Sequence, residues 1–274
     1  MNSPHRKPGK SVFKAGKEYS MRRKIMNKWM RVTTVMLIAA LALTGCVTID
    51  FGGDGLRTIR GSGNLVTEER PVSGIERIAL YGIGEVEVTL GASETLVIEA
   101  EDNLLQYLET EVDNGVLELR TRNLINLQPR KDIRYTVTVK SIDGLEILGS
   151  GNITLDQADV PSMRLLIAGS GGIHVGDLKA DALDITFPGS GKIQVSGEVE
   201  RQTINVAGSG KVQANDLRSQ SAEVRLAGSG DMTIWVVEDL TVRILGSGDI
   251  RYYGSPSVSQ TILGSGNVTS LGTK

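Results

Sequence analysis

From residue 141 onward, apolar and polar positions alternate in short runs, and one turn interrupts every run. The turn is Gly-Ser-Gly, at 149–151, 169–171, 189–191, 208–210, 228–230, 246–248 and 264–266, in steps of 20, 20, 19, 20, 18 and 18 residues. Two residues before each turn stand Ile147, Ile167, Phe187, Val206, Leu226, Ile244 and Ile262. Four after its first glycine stand Ile153, Ile173, Ile193, Val212, Met232, Ile250 and Val268. Six after it stand Leu155, Val175, Val195, Ala214, Ile234 and Tyr252. Polar residues such as Asp184, Thr186, Lys192, Gln194, Asn205 and Lys211 fill the places between them. A period of two means strands with one buried face.

Two short strands cannot bury that face alone, whereas consecutive units stacked on one another can. The pattern therefore predicts an all-β fold, a parallel β-solenoid with coils of about 20 residues, each rising about 4.8 Å. Crossover preference makes the coil right-handed. Equivalent positions stack into columns of aliphatic side chains. Gly149, Gly151, Gly169, Gly171, Gly189, Gly191, Gly208, Gly210, Gly228, Gly230, Gly246, Gly248, Gly264 and Gly266 are assigned as structural turn glycines. The expected reason is that glycine reaches φ > 0 without a Cβ clash. A phosphate-cradling glycine loop would need a helix after it. Lys192 and Lys211 follow two of the turns, but strand patterns follow them.

The repeat also starts earlier. Gly61-Ser62-Gly63 is a further triplet, and Gly82-Ile83-Gly84 reads as a variant with Leu80 before it and Val86 and Val88 after it. The step of 67 residues from Gly82 to Gly149 holds an insertion. Thr95–Ala100 and Ile133–Val139 read as strands, and Asp102–Leu108 as one or two helical turns. Glu109–Thr121 reads as two strands joined by a hairpin at Asp113-Asn114-Gly115. Residues 122–131 read as an irregular loop. The insertion is expected to cap the first coil, since open sheet edges invite aggregation.

The remaining organisation comes from composition. Residues 1–45 carry ten Lys or Arg and one acid, Glu18, which leaves 20 basic and 31 acidic residues beyond them, a body near −11. Such a surface repels phosphate backbones, so nucleic acid is not an expected partner. MRRKIMNKWMR at 21–31 is basic, and VTTVMLIAALALTG at 32–45 is a short apolar run. That is the layout of a secretory signal, too short for a comfortable membrane span of roughly 20 residues. Leu43-Thr44-Gly45-Cys46 resembles the bacterial lipobox, and Cys46 is the one cysteine. The resemblance implies lipidation of Cys46 (palmitate among the acyl chains) and cleavage before it. Val47 after it permits transfer to the outer membrane. The expected organisation is a leader and lipoprotein signal at 1–45, removed on maturation, and a lipidated tether at 46–57. N-terminal coils with an inserted β cap follow at 58–140, and the Gly-Ser-Gly solenoid at 141–272.

The candidate chemistry is sparse. His174 is the one histidine of the exported body and reads as an exposed strand residue, because a zinc site or a Ser-His-Asp triad needs more partners. Asp231 and Asp249 follow successive turns and would stack, but calcium needs six to eight oxygens, and Lys and Gly share the column. No metal or cofactor is expected. Asp156 with Asp159, Asp177 with Asp181, Asp181 with Asp184 and Glu198 with Glu200 are close in sequence, and glycoside hydrolysis needs two convergent acids. Lys and Arg lie between them, so a solvated face fits better. Trp235, Tyr252 and Tyr253 read mainly as filling of a wider terminal coil.

Ile75-Glu-Arg-Ile-Ala-Leu-Tyr-Gly-Ile-Gly-Glu-Val-Glu-Val, then Leu96-Val-Ile-Glu-Ala-Glu-Asp-Asn-Leu-Leu, then the Gly-Ser-Gly coils, resemble the putative autotransporter adhesin head GIN domain family over residues 72–270. That resemblance implies a right-handed β-helix-like fold in a bacterial envelope protein and transfers no catalytic residue. No β-barrel translocator pattern follows the coils, so the expected anchor is the lipid at Cys46. The expected function is a non-catalytic, adhesion-like binding or structural module in the cell envelope, with a glycan or protein ligand. The alternatives are a polysaccharide-active enzyme on a β-helix and a scaffold that oligomerises through an open coil end.

Overall fold

The computed structural model describes residues 56–274; Cys46 and the leader lie outside the described residues. Five long strands follow the repeat from one turn to the next: β11 (Asn152–Ile167), β12 (Gly172–Phe187), β13 (Lys192–Val206), β14 (Lys211–Leu226) and β15 (Asp231–Gly246). Each pairs in parallel with the next. The sequence predicts two short strands per unit; instead, each strand is continuous around the far side of the coil and bends there. In β11 the buried positions are Ile153, Leu155, Ala158, Met163, Leu165 and Ile167. Alternation loses phase between 155 and 158 and again between 158 and 163, and these outward-facing stretches are the bends.

The predicted columns form. One runs Tyr135, Val86, Ile153, Ile173, Ile193, Val212, Met232, Ile250 and Val268. At ordinary strand spacing these nine rungs span about 40 Å. Another column holds Leu119, Leu80 and Ile147 at one end and Val206, Leu226, Ile244 and Ile262 at the other. Steps of 19 and 18 residues do not disturb the corners. The differences in length are absorbed on the far side, at register shifts between Val175 and Leu178, Gln194 and Ser196, Ala214 and Arg218, and Ser219 and Ser221.

The corner glycines are required for a different reason from the expected one. Of the fourteen from Gly149 onward, only Gly246 and Gly264 have φ > 0. The amide N–H of Ser170 donates to the Gly149 carbonyl, that of Ser190 to Gly169 and that of Ser229 to Gly208, at 3.1–3.2 Å. This ladder places each carbonyl where the next glycine would carry a Cβ. A Cβ at any of the fourteen would approach a neighbouring atom closer than 3.0 Å, in nearly every case the carbonyl oxygen of the glycine one rung below. Close approach between coils, rather than backbone torsion, excludes larger residues here. Gly82 and Gly84 belong to this stack, for they meet Gly149 and Gly151 in the same way.

The early part of the chain stacks out of sequence order. Four short strands precede the insertion: β1 (Arg57–Arg60), β2 (Leu65–Arg70), β3 (Arg77–Leu80) and β4 (Glu85–Leu90). Next come β5 (Thr95–Glu101), a 3₁₀ turn at Leu105–Tyr107, β6 (Leu108–Asp113), β7 (Val116–Thr121), β8 (Ile125–Gln128), β9 (Arg134–Val139) and β10 (Gly144–Ile147). β3 and β4 form one rung. Above it lie β10 and the start of β11; beneath it lie β7 and β9, which come later in the chain. The insertion thus supplies a whole rung and also seals it: β6 runs antiparallel to β7, and β5 antiparallel to β9 and β2. The hairpin falls at Asn114 (φ 48°) and Gly115 (φ 80°), as predicted. The expected loop at 122–131 contains β8, which pairs with β1. Gly61-Ser62-Gly63 is not a corner of the stack. It wraps the buried Glu101 carboxylate, which accepts the N–H groups of Gly63 and Arg130.

Candidate binding face

The strand segment just after each corner presents two outward columns. The first is Glu85, Asn152, Gly172, Lys192, Lys211 and Asp231; the second is Glu87, Thr154, His174, Gln194, Gln213 and Thr233. Beside them runs a ridge of exposed corner serines, including Ser150, Ser170 and Ser190. Carboxylate, amide, hydroxyl, imidazole and ammonium groups therefore repeat at strand spacing on a flat, rigid surface.

Gly172 breaks this surface. With no side chain between Asn152 and Lys192, it leaves a groove of about 580 Å³, bordered by Thr154, His174 and Gln194 and by the serine ridge, with Glu85 at one end. A Cβ at Gly172 would press on the end of the Asn152 amide, at 2.9 Å, and meet the Lys192 carbonyl oxygen at an ordinary 3.6 Å, so the coil packing does not require glycine there. The Asn152 amide donates to Glu85 Oε1 at 2.8 Å, and Lys192 Nζ donates to Gln194 Oε1 at 3.2 Å. His174 is exposed, as expected, and its ring borders the groove. The sequence places all these residues in columns; the signal overlooked is that Gly172 alone leaves its place in the column empty.

The other candidates resolve differently. Asp231 and Asp249 do stack, and their carboxylates accept backbone N–H groups: Asp231 from Asp249 at 3.2 Å, Asp249 from Asn267 at 3.1 Å. Among the described residues, no group of three or more His, Cys, Asp or Glu is arranged to hold a metal ion. Asp159, Asp181, Glu198 and Glu200 do line one groove, of about 510 Å³, on the far side of the coil. There, however, Asp159, Lys179, Glu198 and Arg218 alternate in sign up a single column. Lys179 lies 3.9 Å from Asp159 and Arg218 lies 2.5 Å from Glu198. Asp159 is 81% exposed and Lys179 78%. Acid catalysis needs a carboxyl held protonated by an apolar setting, and this groove supplies cross-strand ion pairs in water instead.

Trp235 and Tyr253 pair across adjacent rungs, and Ile234 pairs with Tyr252. Tyr252 packs against the core, as the filling role predicts. Trp235 and Tyr253 instead form an outer aromatic pair. Lys274 Nζ lies over their rings, 5.3 and 5.5 Å from the centroids, and is anchored to Asp216 and to the Asn215 carbonyl.

Residues 75–256 match the family described as "Putative auto-transporter adhesin, head GIN domain". The architecture is shared with solved structures, among them the following three. A putative adhesin from Bacteroides fragilis is 22% identical, with 78% of this chain and 100% of that chain covered and a TM-score of 0.75. A putative lipid binding protein from Parabacteroides distasonis is 28% identical, with 78% and 100% covered and a TM-score of 0.68. A putative adhesin from Parabacteroides merdae is 18% identical, with 78% and 99% covered and a TM-score of 0.62. No curated protein matches the chain in sequence.

Proposed function

Because the chain belongs to the putative auto-transporter adhesin head GIN domain family, we propose that it is a non-catalytic binding module that takes an extended glycan on its polar face. The carrying observation is the notch at Gly172 in an otherwise continuous polar ladder. Sugar hydroxyls both donate and accept, and amide, hydroxyl and imidazole groups can meet them in either sense. The rigid strands hold these groups in place before binding, which lowers the ordering cost that otherwise weakens polar recognition. The groove is shallow, open and of mixed charge, features suited to a neutral or lightly charged polymer passing across several rungs.

A lipid ligand, as named for the Parabacteroides distasonis neighbour, fits this chain less well. The interior columns are filled with mostly aliphatic side chains, nearly all of them fully buried, so an acyl chain would have to displace core. The Gly172 groove offers polar groups rather than an apolar channel.

The test is an array of bacterial and host-surface glycans probed with the full chain and with Gly172→Gln. The reading expects retention of at least one extended glycan by the wild-type chain and loss of that signal in the variant, whose side chain fills the notch. Equal retention by both proteins would place the site elsewhere.

In the cell, the proposal sets this module on the envelope through Cys46, with residues 46–57 as tether. Cys46→Ser is expected to stop incorporation of labelled palmitate and to release the protein from the membrane fraction. Unchanged labelling and fractionation would contradict the anchor.

A further inference from the structure

The two ends of the rod differ in chemistry. At the N-terminal end the outermost strands are β2, with Glu68, Glu69 and Arg70, and β6, with Glu109, Glu111 and Asp113. Among the described residues each has one neighbour only, and charged side chains on such edges discourage pairing with another sheet. At the other end, β16 (Ile250–Tyr253) is followed by β17 (Ser257–Gly264) and β18 (Val268–Ser270). Among the described residues, β17 pairs only with β15, and β18 only with β16. From Gly254 to Thr273 there is no charged residue. Val258 is 38% exposed, Leu263 65% and Leu271 40%. The aliphatic columns stop here at Ile262 and Val268, with no strand of the described residues stacked on them.

From this contrast we infer that the C-terminal end is an interface for a second copy of the chain, with two rods meeting end to end about a two-fold axis and β17 pairing antiparallel with its counterpart. An unprotected strand edge rich in Val, Ile, Thr and Ser needs a partner strand that also carries no charge. A second copy supplies that edge, and its coil has the same outline, so apolar columns meet apolar columns. Head-to-tail stacking would bring the acids of β6 and β2 against a neutral edge and strip them of water without partners. The contact is therefore isologous and closes at two subunits rather than growing into a fibre.

The chain enters the rod at β1, beside the capped rungs. A dimer joined at the opposite end holds its two chain entries far apart. With the Cys46 tether proposed above, pairing then links two opposed envelope surfaces. That consequence rests on the tether reading; the pairing itself does not.

The test uses the full chain carrying Cys46→Ser, so that any introduced thiol is the only one. Single cysteines are placed at Ser257, Ser259, Gln260 and Thr261 on β17, and at Thr110 on β6 as the control edge. Non-hydrogen-bonded antiparallel partners lie about 4.5 Å apart between Cα atoms, within disulfide reach. On mild oxidation, at least one β17 position is expected to give roughly tenfold more linked dimer than Thr110→Cys, as the effective concentration within a paired edge requires. Thr261→Lys is expected to convert a sedimenting dimer to a monomer with unchanged far-ultraviolet dichroism. No excess linkage along β17, or a Cys46→Ser chain without further changes that sediments as a monomer, would overturn the interface. Neither readout depends on palmitate labelling, so failure of the tether and failure of the interface are separately visible.

Discussion

Gly171 and Gly172 are neighbours in the chain with opposite duties. A Cβ on Gly171 would collide with the Gly151 carbonyl, a backbone atom fixed by the stack, whereas the one tight contact of a Cβ on Gly172 would be the movable end of a side-chain amide. Gly171→Ala is expected to destabilise by about 1–3 kcal/mol, as overpacking against an atom that cannot move does. Gly172→Ala is expected to change stability by no more than about 0.5 kcal/mol. Paired denaturant melts check this, and similar losses in both variants would refute the close-approach account. The sequence marks both residues equally well, one in a triplet and one in a column. It does not show why the triplet glycines are needed, because torsion and rung-to-rung distance leave the same letter. Gln202 and Ser219 show the same limit. They read as ordinary polar residues, yet both are buried and hydrogen-bonded to each other at 2.7 Å inside an aliphatic core.

At the scale of elements, the rung is the unit of construction. Lys211 to Gly230 make one full step, and Asp231 occupies the register place of Lys211. Deleting residues 211–230 should leave a corner followed by a correct strand, so a shorter rod, by about 4.8 Å, is expected to fold cooperatively. Deleting 211–220 alone puts mid-strand residues at the corner and is expected to abolish folding. Dichroism and small-angle scattering on the two proteins distinguish the outcomes; equal loss of structure in both would contradict the modular account. Local signals made most elements legible: alternation located the strands, and Asn114-Gly115 located a hairpin. β8 was missed because Ile125–Gln128 alternates too briefly to stand out and is held by the distant β1. The placement of β7 and β9 beneath the earlier β3 and β4 was also illegible. No Gly-Ser-Gly turn lies between β7 and β9, and stacking order is settled by which columns meet in space.

For the whole molecule, the surface charge that raised the possibility of an acid pair resolves into ladders. Asp159, Lys179, Glu198 and Arg218 neutralise one another from rung to rung. What remains distinctive is a hydrogen-bonding face with a gap in it, carried on a rod sealed at one end and neutral at the other. The sequence made the face legible column by column, but not the groove, because a groove is a property of what is missing between Asn152 and Lys192. The most direct measurement of the central claim is calorimetric titration of an array-selected glycan into three proteins: the wild-type chain, Gly172→Gln and Trp235→Ala. The account predicts that Gly172→Gln weakens binding at least about tenfold, a change of about 1.4 kcal/mol, while Trp235→Ala leaves it unchanged. Full affinity in Gly172→Gln with loss in Trp235→Ala would move the site to the aromatic pair and contradict the account.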